Sequence, residues 1–166
     1  MRVVNGWRLF EHAAFKTQKA RLETMVEARK QADPEGWRSS ADAKLLKAIQ
    51  HLTGTAIPAN PLDEGYRHGG TLSGKRKHWF RAKFGNGRYR LFFQFSSAEK
   101  LIIYAWVNDE HTLRTYGAKT DAYKEFARRL GKGDPPDSWE ELAKAVEAKP
   151  KRETKPSAKA KSAKRS

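Results

Sequence analysis

The sequence predicts an α+β fold. Three observations predict it. Two amphipathic helical patterns stand near the start, three consecutive runs of aromatic and β-branched residues follow, and two further helical patterns come before a basic end poor in apolar residues.

Residues 3–10, VVNGWRLF, predict a short strand or extended arm. In 11–31, Phe15, Leu22, Met25 and Val26 recur at spacings of seven, three and one, which puts them on one face of a first helix. Asp33-Pro34-Glu35-Gly36 ends it. A second helix is expected over 37–53, with Ser39 or Ser40 as cap, Leu45, Leu46, Ile49 and Leu52 as apolar stripe, and Gly54 as stop. Together they predict an α-hairpin. Residues 55–75 read as loop. The runs 77–84, 88–95 and 101–107 are joined by Gly85-Asn86-Gly87 and by Ser96-Ser97-Ala98-Glu99-Lys100, the turn chemistry of a three-stranded antiparallel meander. Helices are expected at 120–131 and 137–148, separated by Asp134-Pro135-Pro136-Asp137, with Asp137 or Ser138 capping the last.

The 166 residues suit one domain, and the net charge of +15 calls for a polyanionic partner. The charge is uneven. Residues 149–166 carry eight Lys/Arg against Glu153, a net +7, with no apolar side chain larger than alanine, and predict a disordered basic tail. Residues 1–148 keep 15 − 7 = +8 and form the domain. There is no cysteine, no secretory signal pattern and no run near the ~18 apolar residues of a membrane span, so the expectation is a cytoplasmic protein with no membrane role. The histidines lack metal-ligand spacing, so neither metal nor cofactor is expected, and Gly69-Gly70-x-x-x-Gly74-Lys75 lacks the form of a nucleotide-binding phosphate loop.

Strand alternation sorts the meander into two faces. Phe80, Ala82 and Phe84, with Tyr89, Leu91, Phe93 and Phe95, make one apolar face for the helical hairpin. The opposite face gathers Arg81, Lys83, Arg88 and Arg90 beside Phe92 and Gln94, without one acidic residue. Such clustering costs stability unless an anion sits there, and arginine grips a phosphate through two parallel hydrogen bonds. Neighbouring aromatics suit unpaired bases, which favours RNA over duplex DNA. Arg67, His68, Lys75 and Lys77 precede the first strand in a loop able to reach this face. The third strand exits into Asn108-Asp109-Glu110-His111-Thr112-Leu113-Arg114-Thr115-Tyr116-Gly117. RNA cleavage by the neighbouring 2′-hydroxyl needs a base, an acid and cations. Tyr116, His111 and Glu110 are the candidates for moving protons, and Arg114 adds charge.

These segments resemble a known family. Trp79-Phe80-Arg81-Ala82-Lys83-Phe84-Gly85 followed by Gly87-Arg88-Tyr89-Arg90-Leu91-Phe92-Phe93 looks like the RelE/ParE toxin superfamily. Arg67-His68-Gly69, Trp106-Val107-Asn108-Asp109-Glu110 and the run Thr112 to Gly117 with Lys119-Thr120-Asp121-Ala122-Tyr123 narrow the likeness to the YhaV toxins, over about residues 4–145. The resemblance implies a RelE-like fold in which an N-terminal strand and helical hairpin pack on an antiparallel sheet, here with extra C-terminal helices. It implies a type II toxin that cleaves mRNA in association with the ribosome without a metal, inhibits translation, and pairs with a PrlF-type antitoxin of AbrB-like swapped-hairpin fold. By position, Arg90 falls on the superfamily's active-site arginine, and Arg81 and Lys83 on the basic positions of the preceding strand. Arg114 and Tyr116 resemble its late Arg-x-x-x-Tyr element, shortened here to Arg-x-Tyr. Two other functions use the same residues: a ParE-like gyrase-inhibiting toxin and a non-catalytic RNA- or ribosome-binding module.

Overall fold

A computed structural model describes residues 1–154, with side chains through Glu147. The arm expected over 3–10 is a hairpin: β1 (Arg2–Val4) and β2 (Trp7–Glu11) pair antiparallel around Asn5 and Gly6. Both turn residues hold positive φ, 51° and 82°, as an Asn-Gly hairpin turn requires. His12 caps α1 (Ala13–Ala32), its side chain accepting from the Ala14 amide at 3.0 Å. Ser40 caps α2 (Ala41–His51) by accepting from the Ala43 amide.

Gly54 does not stop the second helix. The backbone widens into a π-turn, Leu52–Ala56, and runs on into α3 (Ile57–Ala59). Thr53 and Ile57 are buried, and the widened turn keeps both against the core. A Cβ at 54 would stand 2.9 Å from the tip of the Arg2 side chain, which is flexible enough to move aside.

The meander forms as β3 (Phe80–Phe84), β4 (Tyr89–Ser96) and β5 (Leu101–Val107), antiparallel throughout. However, the sheet is mixed rather than antiparallel. Its order is β1-β2-β5-β4-β3, and β2 runs parallel to β5. A bulge in β5 shifts the register, so that Phe92 faces Trp106 while Phe93 faces Tyr104. This moves Trp106 onto the face of Ala105 and sends Val107 to the other, against strict alternation.

Both faces of the sheet are covered. On one, Leu91, Phe93, Ile102 and Tyr104 pack with Phe15 of α1 and Ile49 of α2. On the other, Phe92 and Trp106 pack with Tyr123, Phe126 and Leu130 of α4 (Ala122–Gly131) and Leu142 of α5 (Trp139–Thr154). The expected open basic face is therefore largely a second core. Phe92, expected to meet bases, is fully buried and stacks on Phe126 with ring centroids 4.0 Å apart. Helix α5 runs six residues past the domain end expected at 148; the rest of the predicted tail, 155–166, lies outside the described residues.

Candidate active site

The edge strand β3 and its neighbour β4 place Lys83 directly across from Arg90, and Arg81 across from Phe92. At this border of the second core, α4 brings in Tyr123. Its hydroxyl oxygen accepts from Arg81 Nε at 2.9 Å and from Arg90 Nε at 3.0 Å. Arg81 also donates to the Gly65 carbonyl at 2.6 Å, and Arg90 to the carbonyls of Gly87 and Tyr89 at 2.8 and 3.0 Å. The two arginines are 8% and 5% exposed. Among the described residues no carboxylate lies within 4.0 Å of a side-chain nitrogen of Arg81, Lys83, Arg88 or Arg90. Two buried guanidiniums thus converge on one neutral oxygen with no counter-charge, an arrangement that an arriving anion relieves.

The loop after β5 supplies the third arginine. Arg114 donates to Asp121 Oδ1 at 2.7 Å, and its guanidinium lies 4.7 Å from the centre of the Tyr123 ring. Asp121 is the N-cap of α4, accepting from the Tyr123 amide at 3.0 Å and from the Thr115 amide at 2.6 Å. Burial pushes its carboxyl up, but Arg114 and the two amides outweigh this and hold it below the usual carboxylate range. Asn108 ties the same loop to β4: its Oδ1 accepts from the Arg90 amide at 2.7 Å, and its Nδ2 donates to the Thr112 carbonyl at 2.7 Å. Arg88, exposed, donates to the carbonyl of Arg114 at 3.1 Å and so braces the loop.

Of the predicted site residues, Arg81, Arg90 and Arg114 come together around Tyr123, and Lys83, exposed, stands across from Arg90 on the same face. Tyr116 joins them at the surface, 85% exposed, with the Arg114 guanidinium 3.7 Å from its ring centre. Glu110 and His111 do not join. Glu110 forms a two-pronged pair with Arg21 of α1, at 2.9 and 2.6 Å, which lowers its carboxyl to about 2. His111 is exposed, with Nε2 3.7 Å from Glu110. Asp109 holds this turn by accepting from Thr112 Oγ1 and the His111 amide.

A surface groove of about 500 Å³ runs past Gly70, Ser73, Arg114, Tyr116, Tyr123 and Lys124. An adjoining one of about 310 Å³, sharing Gly70, is lined by Arg67, His68 and Lys77. His68 is buried, and both ring nitrogens are engaged: Nδ1 accepts from the Leu72 amide, which assigns Nε2 as donor to the Arg76 carbonyl at 2.8 Å. It shapes the loop rather than reaching the clamp. Lys75 is exposed in the adjacent turn. Sequence reasoning missed Tyr123, Asp121 and Asn108. Tyr123 looks like one more apolar position of an amphipathic helix, while Asp121, two residues before it, carries a readable capping signal.

A profile of toxins with endonuclease activity, of toxin–antitoxin systems, matches residues 9–147. The chain belongs to the YhaV toxin family. It is 49% identical over 145 residues to toxin YhaV of Escherichia coli O6:H1 (strain CFT073), covering 87% of this chain and 94% of that protein. Over the same coverage it is 48% identical to the ribonuclease toxin YhaV of Escherichia coli K12. No solved structure matches it. The matched span contains every cation of the clamp, and membership in a toxin–antitoxin family implies an antitoxin partner. Among the described residues no helix is long and apolar enough to cross a membrane.

Proposed function

We propose that the chain is a cytoplasmic, RelE-like endoribonuclease toxin that cuts mRNA, in association with the ribosome, and stops translation until a PrlF-type antitoxin of AbrB-like fold covers it. The observation that carries this reading is the pair of buried guanidiniums on the Tyr123 hydroxyl without a carboxylate. The ribonuclease named among its relatives supports RNA as substrate.

In this mechanism the ribose 2′-oxygen attacks the adjacent phosphorus. The P–O2′ bond forms as P–O5′ breaks, leaving a 2′,3′-cyclic phosphate and a 5′-hydroxyl. The 2′ proton leaves to a base and the 5′-oxygen takes one from an acid, so no proton is gained or lost overall. Terminal nitrogens of Arg81 and Arg90 hold the non-bridging oxygens and meet the growing charge. Lys83, exposed on the same face, adds a third donor. Both lone pairs of the Tyr123 oxygen are occupied by Nε–H donors, which leaves its own O–H to give. We assign it the proton for the 5′-oxygen, since the two guanidiniums hold the phenolate that results. Glu110 takes no part, because Arg21 keeps it ionised and on the far side of the sheet.

Lys83→Gln tests the clamp at a position where folding is not at stake. The expected result is a loss of about tenfold in kcat/KM on RNA, the scale of one charge-assisted contact to a phosphate, with an unchanged melting temperature. An unchanged kcat/KM on RNA, or growth arrest accompanied by stalled gyrase and intact RNA, contradicts the proposal.

A further inference from the structure

We propose that Arg67 and Lys77, with the backbone of Gly69 and Gly70, form a second phosphate subsite, which takes a phosphate of the RNA strand flanking the one being cut. The inference rests on the reading of the chain as an RNA-cleaving enzyme.

The smaller groove, about 310 Å³, is lined by Arg67, His68, Gly69, Gly70 and Lys77: two cations and no acidic residue. Both cations are exposed, and among the described residues neither side chain has a carboxylate within 4.0 Å. Arginine offers a phosphate two parallel N–H donors, and lysine offers a compact charge. Arg76 differs from its neighbour Lys77, because its Nε is already committed to Asp137 Oδ2 at 3.0 Å.

The loop that carries these groups is fixed at both ends. The buried His68 ring reaches the Arg76 carbonyl through Nε2 at 2.8 Å, beside Lys77, while the His68 carbonyl accepts from the Thr71 hydroxyl at 2.6 Å. One ring thus draws Arg67 and Lys77, from opposite ends of the loop, onto the same groove. Asp137 holds the far end, accepting from Arg76 and from Trp79 Nε1 at 2.7 Å. Such anchoring leaves little ordering cost to binding. The turn from His68 to Thr71, closed by the Thr71 amide on the His68 carbonyl at 3.2 Å, places Gly69 at φ 66°. Neither Gly69 nor Gly70 has an atom within 4 Å of where a Cβ would stand, so an anion approaches the backbone unobstructed. Among the described residues the amides of Gly69 and Gly70 donate to no protein acceptor, which leaves two more donors at the site.

The subsite adjoins the clamp. Gly70 also lines the larger groove that passes Arg114 and Tyr123. Arg81 of the clamp donates to the Gly65 carbonyl at 2.6 Å, two residues before Arg67. A strand whose scissile phosphate lies on Arg81 and Arg90 therefore has a path over Gly70 to Arg67 and Lys77, a cationic groove that tracks the backbone as single-strand sites do.

The test uses the full chain and a short RNA carrying a 2′-deoxyribose at the mapped cut position, which binds without being cut. Each flanking phosphate is replaced in turn by an uncharged methylphosphonate. One flanking replacement is expected to raise Kd for the parental chain by about tenfold, the scale of a charge-assisted contact to a phosphate. The double variant Arg67→Gln with Lys77→Gln raises Kd for the all-phosphate RNA, and KM for the cleavable one, by a similar factor. It loses nothing more when that same phosphate is made neutral, and its salt dependence of binding flattens by about 0.7 in log–log slope, one phosphate's worth. The inference is overturned if no flanking methylphosphonate weakens binding to the parental chain, or if the critical one weakens the double variant by the full parental factor. The scan on the parental chain needs no variant, so it decides the matter even where a substitution disturbs folding. A parental chain that binds no RNA at all overturns the underlying reading, and this inference with it.

Discussion

Tyr123→Phe removes one oxygen atom and leaves the aromatic packing in place. Its ring stays edge-on to Phe92 at 5.6 Å, so no cavity opens. What disappears is the shared acceptor of two guanidiniums that are 8% and 5% exposed. A hydrogen bond to a charged group contributes about 1.5–3 kcal/mol. Each arginine keeps at least one carbonyl partner, Gly65 for Arg81 and Gly87 and Tyr89 for Arg90, so the low end of that range applies twice. The loss is about 3 kcal/mol, which for a domain of this size lowers the melting temperature by about 6–12 °C. If the hydroxyl also supplies the proton for the 5′-oxygen, kcat falls by about 10²–10⁴ while the circular dichroism spectrum is unchanged. Differential scanning fluorimetry and single-turnover cleavage of a short RNA measure the two effects separately. A melting temperature within about 2 °C of the parental value, together with a kcat within threefold, refutes both the energetic and the catalytic reasoning.

Two further outcomes follow from the same geometry. Glu110 has its carboxyl lowered to about 2 by Arg21, so its ion pair stabilises the fold above the ordinary carboxylate range near 4.5 and loses that contribution as pH falls toward 2. The pair is exposed, so the effect is small, about 0.5 kcal/mol. Urea titrations of Glu110→Gln should therefore match the parental chain near pH 2 and fall below it by that amount at pH 7, while RNA cleavage at pH 7 is unaltered; a tenfold loss of cleavage restores Glu110 to the chemistry. Removing residues 155–166 deletes five Lys/Arg and no acidic residue. The salt dependence of single-stranded RNA binding should flatten by up to about 3.5 in log–log slope, at ~0.7 per phosphate contact, and an unchanged slope means those residues do not touch RNA.

Much of the architecture was legible because its signals are local. The Gly85-Asn86-Gly87 turn, the aromatic runs on either side and the Ser40 cap each specify their own neighbourhood. The departures arise where distant segments decide. Nothing in Trp7–Glu11 states that its partner is β5 or that the two run parallel. The bulge that turns Trp106 onto the face of Phe92 breaks an alternation that the residues themselves keep. The basic face was read as open because β3 and β4 carry its cations, whereas Phe126 and Leu130 of α4 cover it from later in the chain.

The candidate site divides in the same way. Arg81, Lys83 and Arg90 were readable because strand periodicity places them on one face. Tyr123 was not, since an aromatic on an amphipathic helix carries no mark of the two arginines its hydroxyl will meet. Glu110 and His111 stood close to Arg114 in sequence, but the turn held by Asp109 sends them toward α1 and away from the clamp.

The central claim is that Arg81 and Arg90 grip a phosphodiester of RNA while its own 2′-hydroxyl cuts it. Its most direct test is the chemistry of the ends made by the purified chain on RNA in the presence of EDTA. The account predicts 2′,3′-cyclic phosphate and 5′-hydroxyl termini, and no cutting where the 2′-hydroxyl at the cleavage position is replaced by hydrogen. Products bearing 3′-hydroxyl and 5′-phosphate ends, or cleavage of the 2′-deoxy substrate, contradict it.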